Sequence, residues 1–326
     1  MVIADHREPT TLNPYLPGGQ EPIVAIIGQL HLAGIFDIDP DTLELIPELA
    51  TELPSVANGG VVVNADGSMD VRWDLQPDAS WSDGRRITGE DMEFTLEYRA
   101  ATAECTGFGT PPEPLPDIEV LEVGEKTFAA RFAVASLEYE TLFPWLVPSH
   151  VVAGSPDICD DWNTEMWPAA GPFVFAEWIR EGEAKSMSFT RNLSYWRRDA
   201  NGDRLPYLGE ARFLFTDDAA GAADAFSTRV VEVINPPSTL EDIPYDEWTE
   251  RGADVQLIPG PVWEHLNFQF GPANRNGATL NGLLEFRQAI AHAIDRRSLL
   301  DDAGYPQLDV LDGFLMRFNA TASSEP

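Results

Sequence analysis

Trp73-Asp74-Leu75-Gln76-Pro77-Asp78-Ala79-Ser80-Trp81-Ser82-Asp83-Gly84-Arg85-Arg86-Ile87-Thr88-Gly89-Glu90-Asp91-Met92-Glu93-Phe94 holds a strand, a turn and a helix start in one continuous stretch. Its beginning closes a period-two run, in which Val71, Trp73 and Leu75 alternate with Asp70, Arg72 and Asp74. That alternation gives a strand one apolar face. Asp66-Gly67 ahead of it is a turn signal, which makes this strand the second arm of a hairpin. Asp83-Gly84 reads as a tight turn. Thr88-Gly89-Glu90-Asp91 then opens a helix: the threonine oxygen can accept from the Asp91 amide while the carboxylate reaches back to the start.

Outward from this stretch the same two periods recur. A short strand is expected at Val2, Ile3 and Ala4, followed by a proline-bounded turn. Residues 20–34 place Ile23, Ile26, Ile27, Leu30 and Gly34 at helical spacing. A second hairpin is expected from Ile118–Val123, the turn Gly124-Glu125-Lys126, and Phe128–Phe132. Further strands are expected at Phe173–Trp178, Ser186–Arg191, Ala211–Phe215, Val230–Ile234 and Leu266–Phe270. A helix is expected from Leu283 to Leu300, with Phe286, Ile290, Ala293 and Ile294 on one stripe. Strands and helices mix without strict alternation, so the class is α/β with some antiparallel pairing.

A length of 326 residues predicts two or three domains, and a hydrophobic content of 44% is that of a protein with a substantial core. The charge is far from balanced: 54 acidic against 21 basic residues give −33 at pH 7. Lys126 and Lys185 are the only lysines; every other basic residue counted there is arginine. Such a surface repels nucleic acid and anionic lipid, so neither is an expected partner. It suits either a cationic ligand or adaptation to salt and solubility.

Cys105 and Cys159 are 54 positions apart in the chain and form no metal-binding spacing. An even count outside the cytosol suggests one disulfide; two unpaired buried thiols are the other reading. The start MVIADHREPTTLNP lacks the basic opening and apolar core of a leader. The expectation is that a leader was removed, or that the sequence begins at the mature domain. The apolar stretch Ile23–Phe36 is interrupted by Gln29 and His31 and is too short to span a bilayer.

Signatures of catalysis are missing. No nucleophile elbow, zincin helix, phosphate loop or dinucleotide fingerprint occurs, and the histidines at 6, 31, 150, 265 and 292 stand alone. Asp199-Ala200-Asn201-Gly202-Asp203 through Glu210 places oxygens at positions 1, 3, 5 and 12 of a calcium loop. Arg204 fills the position where that loop needs glycine, so a polar hairpin turn is the better reading.

Several segments, in order, resemble the family 5 extracellular solute-binding proteins, the peptide and nickel receptors of ABC importers. They are Glu8-Pro9-Thr10-Thr11-Leu12-Asn13-Pro14, Leu45-Ile46-Pro47-Glu48-Leu49-Ala50, the opening stretch Trp73–Phe94, and Ala170-Gly171-Pro172-Phe173. Arg191-Asn192-Leu193-Ser194-Tyr195-Trp196 follows, with Asp199–Leu208 after it; last come Leu266-Asn267-Phe268 and Phe286–Asp295. Ala170, Gly209 and Gln269 depart from the family pattern in loop detail.

The resemblance implies a type II periplasmic-binding-protein-like α/β fold with mixed sheets, two lobes and the start of a third. Lobe I would comprise 1–48 and 168–264, lobe II 49–167, and lobe III would begin within 265–326 and be incomplete, since family members are longer. It implies an extracytoplasmic receptor, periplasmic or a cell-surface lipoprotein. Such a receptor delivers oligopeptides or dipeptides to an ABC permease by closing a cleft between lobes I and III. The same fold serves nickel chelates, haem, sugars or signalling ligands; a secreted hydrolase is the reading from another class. A monomer with no cofactor, no metal and no catalytic residues is expected.

On the lobe I face the candidates are Leu32, Ala33, Gly34 and Ile35, whose backbone would pair with an extended peptide, and Trp263, His265 and Asn267. Trp263 serves equally as a core aromatic, and His31 as a solvated helix end or a ligand contact. Asp83, Gly84, Thr88 and Asp91 read as scaffold. The tail Phe314–Pro326 follows no pattern. The expectation is that this piece exposes apolar surface where lobe III packs and binds ligand poorly by itself.

Overall fold

The computed structural model describes residues 1–39, 42, 44–105, 115–182, 185–234, 245–255, 268 and 280–302. Strand β1 (Val2–Asp5) leads to helix α1 (Pro22–His31), then the short pair β2 (Phe36–Ile38) and β3 (Leu45–Pro47). Next come β4 (Val61–Val63), β5 (Met69–Asp74), α2 (Gly89–Thr102), β6 (Ile118–Val123), β7 (Thr127–Phe132) and the single-turn α3 (Ser149–Val152). The chain continues through β8 (Phe173–Ile179), β9 (Ser186–Arg191), β10 (Glu210–Phe215), α4 (Ala219–Ser227) and β11 (Val233–Ile234). Helices α5 (Tyr245–Glu250), α6 (Leu284–Ala293) and α7 (Arg296–Asp302) follow. Two compact units result, Met1–Pro244 and Tyr245–Pro326.

In the first unit a five-stranded sheet has the order β11-β1-β10-β9-β8. β1 pairs in parallel with β10 and β11, while β9 is antiparallel to both β10 and β8. Its residues alternate as period two requires: Ala211, Phe213 and Phe215 pack with Met187 and Phe189 against Ile23, Val24 and Ile27 of α1. Ala4 packs with Ala222 and Ala225 of α4 and with Val231 in a second cluster. A four-stranded antiparallel sheet, β4-β5-β7-β6, draws only on residues 61–132. Met69, Val71 and Trp73 are buried with Phe128, Ala130 and Phe132 in the same cluster as Met92 and Leu96 of α2. Asp70 and Arg72 belong to the opposite face, where Arg131 forks onto Asp70 at 2.6 and 2.9 Å and Arg72 reaches Glu122 at 2.7 Å.

The opening stretch folds as its residues dictate, but its acids do more than cap. Asp91 is 2% exposed. One carboxylate oxygen accepts from the Thr88 amide at 3.0 Å, an arm of the capping box, and from Trp81 Nε1 at 3.3 Å. The other accepts from the amide and hydroxyl of Ser149, both at 2.9 Å. Gly84 sits at φ +88°, which the tight turn requires and a side chain resists. Asp83 accepts from the Arg85 amide at 3.0 Å and meets His150 Nε2 at 2.7 Å. Burial acts to raise the Asp83 pKa, but the His150 and Arg85 contacts together hold it below the ordinary value. Lys126 closes the same loop by donating to the Ala79 and Ile87 carbonyls at 3.1 and 2.8 Å.

Three expected elements are corrected. Helix α1 stops at His31 and Gly34 is not part of it; Leu32 turns extended (φ −90°, ψ 160°), and the residues beyond pair with other segments instead. The expected strand Val230–Ile234 shrinks to Val233–Ile234, because the Val230 and Val231 amides finish the end of α4 by donating to the Ala225 carbonyl. The expected helix Leu283–Leu300 is two helices. Asp295 accepts from the Ser298 amide at 3.1 Å and its hydroxyl at 2.9 Å, so it caps α7 and interrupts the run. The expected strand Leu266–Phe270 and the tail Phe314–Pro326 lie outside the described residues, apart from Phe268.

Cys105 and Cys159 form a disulfide with Cα atoms 5.5 Å apart. Peptide mapping under non-reducing conditions should return these two cysteines linked. Closing a loop of this size is worth about 4 kcal/mol through the unfolded chain, so reduction should lower Tm; free thiols on both would contradict the bridge. Replacing Asp91 with alanine strands several buried donors and should cost about 3–5 kcal/mol in denaturant unfolding, with Asp91→Asn losing less. Because the described ion pairs engage a small part of the 54 acids, added salt should also stabilise the fold. Raising NaCl from about 0.1 M to about 1 M shortens the screening length from about 10 to about 3 Å and should raise Tm by several degrees.

Candidate functional site

The sequence candidates on α1 and after it converge on one strap, Leu32–Ile35, and the structure places it inside. Leu32, Ala33 and Ile35 are at most 3% exposed and belong to the cluster that contains Trp73 and Trp81. The strap's main chain is spoken for on both sides. The Ala33 carbonyl accepts from Leu146 at 2.9 Å, and the Ile35 amide donates to Phe143 at 3.0 Å. On the other side, the Gly34 carbonyl accepts from Leu49 at 3.0 Å, and the Ile35 carbonyl accepts from Glu48 and Ala50 at 3.0 and 3.3 Å. A Cβ on Gly34 would stand 2.1 Å from the Pro144 oxygen, so only glycine allows this approach. The backbone pairing with an extended peptide expected of this strap would have to displace these partners.

His31, at the end of α1, is a buried hub and not a solvated helix end. It is 1% exposed. Nδ1 accepts from the Phe175 amide at 2.9 Å, which leaves Nε2 to donate to the Trp167 carbonyl at 2.5 Å. Burial pushes its pKa down to about 4 against the pull of that carbonyl. The ring is therefore neutral at pH 7 and joins α1, β8 and the segment entering β8. Trp263, His265 and Asn267 lie outside the described residues.

Beside the strap is a cleft of about 310 Å³ bordered by the apolar Ile35, Leu45, Leu53 and Trp73 and by Tyr139, with the acidic residues Glu44 and Glu140 also in its lining. The Tyr139 hydroxyl donates to Glu140 at 3.3 Å. An apolar wall with carboxylate acceptors suits a small solute that has an apolar body and a cationic group. The sequence pattern did not single out this cleft, because its walls come from separate segments.

Glu48, inside the Leu45–Ala50 motif, is a second chemical group that local sequence does not mark. It is 8% exposed, and Gly34 N donates to Oε2 at 3.4 Å. Burial first, then the negative charge of Asp37, push its pKa up to about 8 against the Gly34 amide and Arg197. Tyr195 nearby is pushed up to about 12, chiefly by burial and then by Glu48.

The calcium-like segment is a turn closed on itself. Asp199 accepts from the amides of Asn201 and Asp203 at 2.9 and 2.7 Å and from the Tyr207 hydroxyl at 2.7 Å. Arg198 and Arg204 bridge as antiparallel partners. Among the described residues, no group of three or more His, Cys, Asp or Glu side chains is arranged to hold a metal ion.

Comparison with known proteins adds a family. The family described as bacterial extracellular solute-binding proteins, family 5, matches residues 44–323. The oligopeptide-binding protein OppA of Mycobacterium tuberculosis is 26% identical over 242 residues, covering 72% of this chain and 38% of that protein. A periplasmic alpha-galactoside-binding protein of Rhizobium meliloti is 25% identical over 297 residues, covering 82% of this chain and 41% of that one. The chain thus spans about two-fifths of the length of these curated relatives. Among solved structures, a periplasmic EDTA-binding protein superposes with a TM-score of 0.73 at 22% identity, covering 95% of this chain and 56% of that one. An oligopeptide-binding protein of Thermus thermophilus, complexed with a pentapeptide, gives 0.57 at 20% identity over 72% of this chain and 44% of that one. The fold is that of type II periplasmic binding proteins. Among the described residues no helix is long and apolar enough to cross a membrane.

A histidine whose pKa is lowered on folding makes stability fall once the unfolded chain begins to bind the proton. For His31 that loss should begin below about pH 6.5 and be complete near pH 4, reaching on the order of 3 kcal/mol. Urea melts at several pH values check this: His31→Gln should be less stable at pH 7 yet lose less than the wild type on acidification.

Proposed function

Because the chain belongs to the bacterial extracellular solute-binding proteins of family 5, we propose that the protein captures a small solute outside the cytoplasm and passes it to the permease of an ABC importer. The family is one of solute-binding proteins and not of enzymes, so the secreted-hydrolase reading is set aside. The solute proposed is an oligopeptide or dipeptide. The match to an oligopeptide-binding protein of Mycobacterium tuberculosis over 72% of the chain carries that choice.

In this reading residues 1–48 and 168–264 make lobe I, 49–167 make lobe II, and lobe III begins at 265. The five-stranded sheet uses residues from the first set and the four-stranded sheet from the second, which supports the division. Trp263, His265 and Asn267 would meet the ligand at the lobe I face. Of the strap Leu32–Ile35, Ile35 would contribute through the cleft that it borders within the first unit. The protein would work as a monomer, as a periplasmic or lipid-anchored receptor.

A second reading keeps the fold and changes the ligand. The alpha-galactoside-binding relative covers more of this chain than the oligopeptide-binding one, and the EDTA-binding structure superposes over 95% of it. A sugar or metal-chelate ligand is therefore the alternative. A thermal-shift panel on the full-length protein separates the two, since a ligand at about 100 times its Kd stabilises by about 2.7 kcal/mol. Dipeptides and oligopeptides should raise Tm while alpha-galactosides and metal chelates leave it unchanged. The reverse pattern would assign the second reading and overturn the first.

A further inference from the structure

Glu48 sits where the main chain leaves β3 and crosses toward the four-stranded sheet. Its amide donates to the Ile35 carbonyl, and the next two amides, of Leu49 and Ala50, donate to Gly34 and Ile35. Beyond it Ala50 bridges Leu75, and Gln76 binds back to both Leu49 and Ala50. This residue therefore lies on the seam that holds the strap.

Its carboxyl group is poorly matched to carrying a charge there. Only 8% of Glu48 is exposed, and the hydrogen bond it receives, from Gly34, is long at 3.4 Å. None of the ion pairs among the described residues involves it. Three groups act on it from the surrounding elements. Asp37 of β2 repels its charge; Arg197, in the loop after β9, attracts it without reaching ion-pair distance; Tyr195 of the same loop is a buried phenol. His31, at the other end of the strap, is neutral and bonded elsewhere. A buried carboxylate with one long donor and a like charge nearby costs more than the neutral acid would.

We propose that Glu48 is a proton-binding site, held in its acid form in the folded protein at neutral pH. Its ionisation in mildly alkaline solution strengthens the bond from Gly34 but leaves a buried charge beside Asp37 without an ion-pair partner, which destabilises the seam between Gly34–Ile35 and Glu48–Ala50. The seam is then a proton-controlled latch on the wall that borders the cleft at Ile35. An unfolded glutamate ionises above about pH 4.3, whereas the folded one keeps its proton to about pH 8. Between those values the folded state binds the extra proton, so stability falls as pH rises.

The test compares Tm of the wild type and Glu48→Gln from about pH 5 to about pH 9. Glutamine keeps the shape and the acceptor for Gly34 but cannot ionise. The Tm difference should move in favour of the variant as pH rises and level off near pH 8. A difference that stays constant over the range overturns the proposal. Should the variant not fold, a carbon-13 NMR titration of the wild-type glutamate carboxyls decides alone: a Glu48 midpoint near 8 supports the latch, and one below about 6 overturns it.

Discussion

A single buried carboxylate organises the most recognisable part of this chain. Asp91 binds the start of its own helix through Thr88, the loop before it through Trp81, and a segment 58 residues later through Ser149. Without it those donors would be buried with no acceptor, which costs more than the bonds themselves contribute. The rest of the four-stranded sheet region depends on this point, because α2 covers the sheet only when the loop and the returning chain are both fixed. Ser82 extends the arrangement by exchanging hydrogen bonds with Ala169 at 2.7 and 2.9 Å.

The same logic recurs wherever the family motifs fall. Asn13 is fully buried and donates to the Tyr98 hydroxyl of α2 at 2.8 Å. Asn192 donates to the Gly171 carbonyl at 2.9 Å and accepts from Ser194. His31 uses both ring nitrogens on main-chain groups. These side chains are short, polar and satisfied, so they fix the geometry of the crossing segments and leave no group free for a ligand. Recognition of the proposed solute would have to come from other surfaces. Glu48 is the exception on this seam, a titratable group whose needs the surroundings do not meet, and its chemistry follows from that mismatch.

The acidic surface and the internal cations divide the work of charge. Lys126 is half-committed to loop carbonyls and Lys185 pairs with Glu8 at 2.8 Å. Arg7 forks onto Asp5, which is 3% exposed, at the end of β1. These basic side chains thus hold particular joints while most acids among the described residues face solvent. A net charge of −33 then acts on the fold as a diffuse repulsion, which ionic strength can screen.

Local pattern alone determined much of this protein. The period-two runs at 69–74 and 127–132, the capped start of α2, the Asp83-Gly84 turn and the ordered motifs were legible, because each depends on residues close in sequence. The pairing of Cys105 with Cys159 was legible as an even count but not as a distance. Only the tertiary structure decided that α1 ends at His31, since the partners that pull Leu32–Ile35 straight lie at 143–146 and 48–50. The break between α6 and α7 turned on Asp295 choosing to cap, which a helical stripe conceals. The candidate site was least legible of all. A glycine's tolerance, a histidine's neutrality and a glutamate's proton are set by burial and by neighbours far along the chain, and neither is written in local sequence.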